Sequence, residues 1–265
     1  MDEIEVDEGV TAVQTAHDEA MEAFLRIFAT EADDMAKISP AETRHIAMLI
    51  YPGMFALDMV GPLSVLQGLM NTQVHQLWKT TEPVKAGALT IVPTGTLADC
   101  PEQLEVLLIP GGSAGTLAAM QDAELLTFVK EAASRARYVT SVCTGSLILG
   151  AAGLLKGYRA TTHWAALDVL AAFGAEPVQA RYVEDGNRMT AAGVSAGIDF
   201  ALALAAKIAG EPYARGLQLD IEYDPAPPFA AGSPDGAGEE IAGAMRLMYA
   251  PLIEAMQTAA AHPAS

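Results

Sequence analysis

The sequence is short of cysteine, of basic residues and of long apolar runs. Its two cysteines, Cys100 and Cys143, cannot build a disulfide framework, and no Cys-x-x-Cys pair or His/Cys cluster indicates a metal site. Lys and Arg number 15 against 33 Asp and Glu, and the formal charge of −18 argues against nucleic acid or an anionic membrane as a partner. No apolar run reaches the roughly 18–20 residues that span a bilayer. The opening Met1-Asp2-Glu3 does not resemble a secretory signal, so we expect a cytoplasmic protein.

The chain is long and apolar enough for one sizeable domain, because 51% of its 265 residues are hydrophobic. Residues 1–43 stand apart, since they are acidic and their only basic residues are Arg26 and Lys37. Apolar residues recur there at roughly helical spacing, which favours an amphipathic helix. They are Val10, Val13, Ala16, Ala20, Phe24, Leu25 and Phe28. We therefore expect an acidic, partly helical extension over 1–43, a main domain over 44–236 and a C-terminal helical tail over 237–265.

Short apolar runs alternate with helical stretches from Arg44 onward. The runs predict buried strands over 45–51, 74–78, 105–109 and 138–142, and a hairpin over 181–190 that turns at Asp185-Gly186. The helical stretches cover 62–70, 116–120, 124–135 and 196–209. Continuous apolar strands alternating with helices are typical of a parallel sheet covered on both faces. The predicted fold is therefore α/β, a flavodoxin-like three-layer sandwich with a mostly parallel sheet.

The stretch Val139–Gly150 carries the strongest chemical signal. A β-rich run ends at Cys143, and a small-residue turn leads into an apolar helical segment. Ser141-x-Cys143-x-Gly145 has the spacing of a nucleophile elbow, a tight strand-to-helix turn that presents a nucleophile. A thiol so placed is expected to have a lowered pKa, because unpaired helix N–H groups favour the thiolate. The alternative is a small buried cysteine without chemistry.

Three further segments supply candidates for the same edge of the sheet, where the carboxyl ends of parallel strands meet. Gly111-Gly112 follows one strand and could aim a backbone N–H at developing negative charge, or simply end the strand. Asp58 lies in an apolar stretch, which suits a raised pKa and acid/base work, although an Asp there could instead cap the next helix. His163 could pair with Cys143, or be a structural histidine beside Trp164.

Taken together, five short motifs resemble the ThiJ/PfpI superfamily, and within it the isocyanide hydratases. The motifs are Tyr51-Pro-Gly with Leu57-Asp58 and Gly61-Pro62, Ile109-Pro-Gly-Gly112, Val142-Cys-Thr-Gly145, Arg159-Ala-Thr-Thr-His-Trp164 and Ala196-Gly-Ile-Asp199. The resemblance covers roughly residues 44–236. It implies an enzyme, a hydro-lyase that adds water to an isocyanide (R–N≡C) and yields an N-formamide without metal or cofactor, and it implies a homodimer.

The resemblance also implies roles for individual residues. Cys143 would be the nucleophile that forms a covalent thioimidate, Asp58 the neighbouring acid/base carboxylate, and Thr144 a residue that positions substrate or anion. Backbone donors near Gly112 and Thr144 would stabilise developing charge. The related proteases and amidotransferases carry His directly after the nucleophile, where this chain has Thr144.

Two other functions remain open on the same motifs. The N-terminal domains of AraC-type transcription regulators share them, which would make the chain a small-molecule sensor. Such regulators append a basic helix-turn-helix region, whereas 238–265 is acidic to neutral. A glyoxalase or deglycase-like activity is the third reading, although those members use Glu where this chain has Asp58.

Overall fold

The computed structural model describes residues 19, 20, 23, 26, 29 and 32–261, and its centre is a seven-stranded sheet. The strands are β1 (Arg44–Leu49), β2 (Thr72–Trp78), β3 (Val84–Ala86), β4 (Leu89–Ile91), β5 (Gly95–Thr96), β6 (Leu104–Ile109), β7 (Ala136–Val142), β8 (Arg159–Ala160), β9 (Glu176–Pro177), β10 (Tyr182–Asp185) and β11 (Arg188–Ala191). The large sheet runs in the order β10-β11-β7-β6-β1-β2-β5. All its pairs are parallel except β10 with β11. The strands β3 and β4, and β8 and β9, form two small separate sheets.

Nine α-helices and two 3₁₀ helices in the described part of the chain connect and cover these strands. The α-helices are α1 (Ala32–Ile38), α2 (Ala56–Leu66), α3 (Ala114–Met120), α4 (Ala123–Ser134), α5 (Gly145–Ala151), α6 (Ala196–Ala209), α7 (Glu211–Asp220), α8 (Pro234–Ala237) and α9 (Glu239–Ala261). The 3₁₀ helices are Leu97–Asp99 and Trp164–Phe173. None of the helices that the structure describes has both the length and the apolar character needed to cross a membrane.

The α/β, flavodoxin-like prediction is confirmed, because the central strands are buried on both faces and read as continuous apolar runs. The predicted hairpin is also present, with Gly186 and Asn187 as its two loop residues. The expected helix over 62–70 begins earlier, at Ala56, so Pro62 lies inside α2 instead of at its start. Pro62 packs there against Gly197, where an added Cβ would lie 3.1 Å from the proline Cδ.

Arg44 ties α1 to the amino end of the sheet. Its guanidinium donates to the carbonyl oxygens of Lys37, Ile38 (3.3 Å) and Met70 (2.9 Å), and the residue is only 8% exposed. The amphipathic helix predicted for 1–43 rests on apolar residues that, apart from Ala20, lie outside the described residues. The opposite, carboxyl edge of β1, β6, β7 and β11 is where the candidate site lies.

Candidate active site

Cys143 occupies a strained backbone position directly after β7. Its φ is 56°, in the left-handed region that disfavours residues with a side chain. Backbone hydrogen bonds hold it there: its N–H donates to the carbonyls of Ala191 (3.1 Å) and Ala192 (2.9 Å), and its carbonyl accepts from Thr162 Oγ1 (2.8 Å). Two residues later, a Cβ at Gly145 would lie 2.1 Å from the Ile109 carbonyl oxygen, so only glycine fits. The segment is therefore a tight, strained strand-to-helix turn, hereafter the elbow.

Asp58 lies in the first turn of α2 and is fully buried. Its Oδ2 accepts a hydrogen bond from the Gly111 N–H (3.0 Å). Its Oδ1 is buried and has no well-formed hydrogen bond to any described residue, while the Cys143 thiol is the neighbouring polar group that interacts with the carboxyl. The capping alternative is wrong, because the residue before the helix is Phe55 and the Asp58 side chain reaches across to the β6 loop instead.

Burial raises the pKa of the Asp58 carboxyl to about 7, against weaker lowering by hydrogen bonds from the Gly111 N–H and the Cys143 thiol. This direction agrees with the expectation drawn from its apolar neighbours. A carboxyl with such a pKa can hold and release a proton near neutral pH.

The expected low pKa of Cys143 is wrong. Burial, and next the charge of Asp58, raise the thiol pKa to about 12, and the backbone N–H groups of Val194 and Thr144 only partly oppose them. The thiol belongs to a residue that is 7% exposed, so desolvation outweighs the N-terminus of the short α5. The titrations of Cys143 and Asp58 are therefore coupled. At pH values between their two pKa values, the pair holds a single proton.

Thr144 and the glycines after β6 form a buried hydrogen-bond network. The Thr144 hydroxyl donates to the Gly112 carbonyl (2.9 Å), accepts from the Gly112 N–H (3.1 Å) and meets Thr116 Oγ1 at 2.8 Å. Tyr51 completes the chain, since its hydroxyl contacts Thr116 Oγ1 (3.2 Å) and donates to the Pro110 carbonyl (2.8 Å).

This network differs from the roles expected for Gly111, Gly112 and Thr144. Both glycine N–H groups already donate to side-chain oxygens, so neither is free to bind substrate charge as expected. Glycine is nevertheless required at 111, because a Cβ there would lie 2.5 Å from the Thr144 nitrogen. The Thr144 hydroxyl fastens the loop, whereas its backbone N–H is the group directed at the Cys143 sulfur.

His163 borders the same cavity as Cys143, but its contacts are structural. Its Nδ1 accepts from the Ala165 N–H (3.4 Å) at the start of the second 3₁₀ helix. Its ring packs against Trp164 (centroids 5.6 Å apart) and Tyr249 (5.4 Å), and burial lowers its pKa. These contacts favour the structural reading of His163 over pairing with the thiol.

Sequence reasoning missed four residues that shape this site. Thr162 is the donor to the Cys143 carbonyl, and the motif that contains it assigns it no such role. Tyr51 begins the Tyr51-Pro-Gly motif directly after β1, and this position at the carboxyl edge of the sheet is the sequence feature that could have indicated a place in the site. Thr116 and Val194 reach the site from a helix and a loop distant in sequence, and no local pattern marks them.

A cavity of about 100 Å³ opens at the Cys143 side chain. Its walls come from the α2 entrance, the β6 loop, the elbow, the second 3₁₀ helix, the loop before α6 and α9. The lining residues are Phe55, Gly112, Ser113, Cys143, Thr144, His163, Ala165, Ala166, Val194, Tyr249, Leu252, Ile253 and Met256. No three His, Cys, Asp or Glu side chains of the described part of the chain converge as metal ligands.

Comparisons with known proteins agree with this architecture. Residues 44–207 match the family model described as the DJ-1/PfpI family. The chain is 50% identical over 211 residues to the isonitrile hydratase of Pseudomonas putida, covering 79% of this chain and 92% of that protein. The crystal structure of a ThiJ/PfpI family protein from Pseudomonas syringae superposes with a TM-score of 0.82 at 48% identity, covering 87% of this chain and 96% of that one.

A regulator also shares part of the sequence. An HTH-type transcriptional regulator of Pseudomonas aeruginosa is 37% identical over 103 residues, which is 38% of this chain and 28% of the regulator. The chain therefore spans only a small part of that protein's length.

Proposed function

The chain belongs to the DJ-1/PfpI family, and from that membership we propose that it is an isocyanide hydratase, converting R–N≡C and water into an N-formamide. The observation that carries the proposal is the Asp58–Cys143 pair: the Cys143 thiol lines a small cavity, and a buried carboxyl of pKa about 7 interacts with that thiol. The half-identical relative named isonitrile hydratase, matched over 92% of its length, supports the choice of reaction.

In the first step, the proton shared by the pair is transferred to the substrate. The Cys143 sulfur forms a bond to the terminal isocyanide carbon, while Asp58, holding the thiol proton, delivers it to the same carbon. The product is a neutral thioimidate, R–N=CH–S–Cys143, and Asp58 is left as a carboxylate. Burial of the pair suits this step, because the proton moves between groups already in contact and no solvent must reorganise.

In the second step, water adds to the thioimidate carbon. Asp58 accepts one water proton and passes it to the substrate nitrogen, which gives R–NH–CH(OH)–S–Cys143. The hydroxyl proton then leaves through Asp58 as the carbon–sulfur bond breaks, so the N-formamide departs and the pair regains its single proton. The N–H groups of Val194 and Thr144, directed at the sulfur, stabilise it as it departs with negative charge.

We also propose the homodimer and the small-molecule substrate that the resemblance implies, the cytoplasmic location expected from the sequence, and a catalytic domain over residues 44–236 against which α9 packs. Exposed apolar side chains at the entrance to α2, Phe55 (52%) and Leu57 (41%), are available to an interface. Sedimentation of the purified chain measures this directly, and a monomer at micromolar concentration would contradict the homodimer.

The test is turnover of phenyl isocyanide, followed as formation of N-phenylformamide by NMR. Acid quenching during turnover should also reveal protein heavier by one isocyanide, with the added mass on the Cys143 peptide. If N-phenylformamide forms but a rapid-quench series shows no Cys143 adduct, the hydratase activity would stand and the covalent thioimidate would be excluded. Absence of formamide would defeat the hydratase proposal.

A sensor function is the second candidate, favoured by the partial match to the transcriptional regulator. A sensor would bind an isocyanide or another small molecule without converting it. Calorimetric binding together with no product over hours would support the sensor, and methylglyoxal consumption in the same assay would support the glyoxalase alternative.

A further inference from the structure

The cavity beside Cys143 is small for a ligand site. Pockets that hold drug-sized ligands measure roughly 300–1,000 Å³, whereas this one holds about 100 Å³. A molecule larger than this cavity can place its reactive carbon against the sulfur only by extending beyond the cavity walls.

The cavity is also apolar and uncharged at its surface. Among the described residues that line it, none is Asp, Glu, Lys or Arg. The hydroxyl of Thr144 is occupied by the Gly112 backbone, and burial keeps His163 neutral by lowering its pKa. A charged substituent would therefore be buried without a counter-charge, which is unfavourable.

One wall of the cavity comes from α9, outside the segment that matches the family model. Four α9 residues reach it at helical spacing: Tyr249, Leu252, Ile253 and Met256. Met256 is fully buried, and Ala259 and Ala260 continue the same buried face. The Tyr249 ring is edge-on to both His163 and Trp164, which fastens the helix to the second 3₁₀ helix.

Resting on the proposed hydratase function, we propose that α9 sets the substrate range and restricts the enzyme to isocyanides whose R group is compact, apolar and uncharged. Met256 and Ile253 are the selectivity-determining residues, because their side chains occupy space that a larger R group needs. Neither residue takes part in proton transfer or in forming the thioimidate.

The size test compares kcat/KM for phenyl isocyanide and 2-naphthyl isocyanide. In the wild-type protein, we expect the naphthyl compound to be slower by about 10-fold or more, the usual scale for a few excess carbons in a tight pocket. Met256→Ala should raise the naphthyl-to-phenyl ratio about 10-fold, and Ile253→Ala should act in the same direction. Leu247→Ala, on the same helix but 78% exposed, is the matched control and should leave the ratio unchanged.

The charge test compares 4-isocyanobenzoate with its methyl ester. The ester is the larger molecule but is neutral, so size and charge make opposite predictions. We expect the ester to be hydrated about 10-fold faster or more, since the carboxylate would be desolvated without a partner.

The outcomes separate this inference from the function on which it rests. If wild-type protein yields no N-phenylformamide, the hydratase proposal fails and the inference falls with it. If phenyl isocyanide is hydrated but neither Met256→Ala nor Ile253→Ala changes the ratio, α9 does not select substrates. A benzoate faster than its ester would overturn the exclusion of charge. Should Met256→Ala not fold, as shown by its melting curve, Ile253→Ala and Met256→Leu carry the size test.

Discussion

Among the described residues, one basic and one acidic side chain are buried, and they lie at opposite ends of the sheet with different hydrogen-bond partners. At the amino end, Arg44 is 8% exposed and donates to three backbone carbonyls. At the carboxyl end, Asp58 is fully buried and accepts one backbone N–H, with its second oxygen left beside the Cys143 thiol. One buried charge is satisfied by the backbone, and the other is only half satisfied.

The hydrogen-bond partners of a buried charge therefore help to distinguish a structural role from a role in catalysis. A charge whose hydrogen-bonding capacity is filled stabilises the elements around it and has nothing left to offer a substrate. A charge left short of partners destabilises the fold, and persists where a neighbouring reactive group needs it. Variants at Cys143, Asp58 and Arg44 test this contrast.

The largest effect is expected from removing the thiol at the carboxyl end. Cys143→Ala should abolish formamide production, because no other described thiol adjoins Asp58. Cys100→Ala is the matched control. Cys100 is also buried and free, but it follows the first 3₁₀ helix, so turnover should stay within about two-fold of wild type. Steady-state assays of both variants measure this, and equal losses would remove Cys143 as nucleophile.

Replacing the half-satisfied carboxyl should separate activity from stability. Asp58→Asn should lower kcat/KM by about 100-fold or more, because the amide cannot deliver the proton. It should also be more stable than wild type at pH 8, by about 2–4 kcal/mol.

The sign of that stability change follows from the raised pKa of Asp58. Its folded value of about 7 lies above the ordinary 3.8, so the unfolded chain loses this proton first as pH rises. The ionisation of Asp58 therefore lowers the free energy of unfolding of the wild-type protein progressively from about pH 4, and this loss is complete above about pH 7. Denaturant titrations at pH 4 and pH 8 measure it, and an Asn variant that is less stable at pH 8 would contradict the comparison.

The activity of the wild-type enzyme should follow the same titration. The productive pair holds one proton, so kcat/KM should rise with pH, with an apparent pKa of about 7, and be about 10-fold lower at pH 6 than at pH 8. Because the thiol pKa is raised, iodoacetamide should label Cys143 more slowly at pH 7 than it labels an ordinary cysteine in a peptide. A flat profile from pH 6 to 8 would show that Asp58 does not titrate in this range.

Replacing Arg44 at the amino end should have the opposite effect to Asp58→Asn: stability should fall while activity is kept. Arg44→Met should cost about 2–4 kcal/mol of stability, because it removes the hydrogen bonds that the guanidinium donates to the Lys37, Ile38 and Met70 carbonyls. Activity per folded molecule should stay within about two-fold. Arg137→Met, which removes an exposed guanidinium paired with Glu105, is the control and should cost less than about 1 kcal/mol. Equal melting temperatures for the two variants would remove the structural role of Arg44.

The smallest effect is expected from deleting the extension. Without residues 1–43, Arg44 loses two of its three carbonyl partners, so the melting temperature should fall, but less than in Arg44→Met. Deleting only 1–31 keeps α1 and should leave the melting temperature unchanged. Both proteins should hydrate phenyl isocyanide normally. An inactive but well-folded deletion would place the extension in the site.

The strands and the elbow could be predicted because their signals are local. Apolar runs define β1, β6 and β7, and the small residues around Cys143 mark its turn. The start of α2 was misplaced because Pro62 suggests a helix start, whereas it lies inside the helix and packs against Gly197.

The direction of the Cys143 pKa shift could not be predicted from the residues next to it in the sequence. It depends on how deeply the thiol is buried and on a carboxyl that lies far away in sequence. The same holds for Met256, whose place in the cavity wall follows from the docking of α9 and not from any pattern around the residue.

The docking of α9 has a consequence for how the protein is made. A ribosome synthesises Cys143, Asp58 and the whole sheet before it reaches the helix that closes the cavity. Until that helix has been synthesised, the cavity at Cys143 lacks one of its walls, and the thiol of the growing chain lacks part of its cover. A chain released before α9 is made would therefore carry the Cys143 thiol and the Asp58 carboxyl, but not the cavity wall that Tyr249, Leu252, Ile253 and Met256 form.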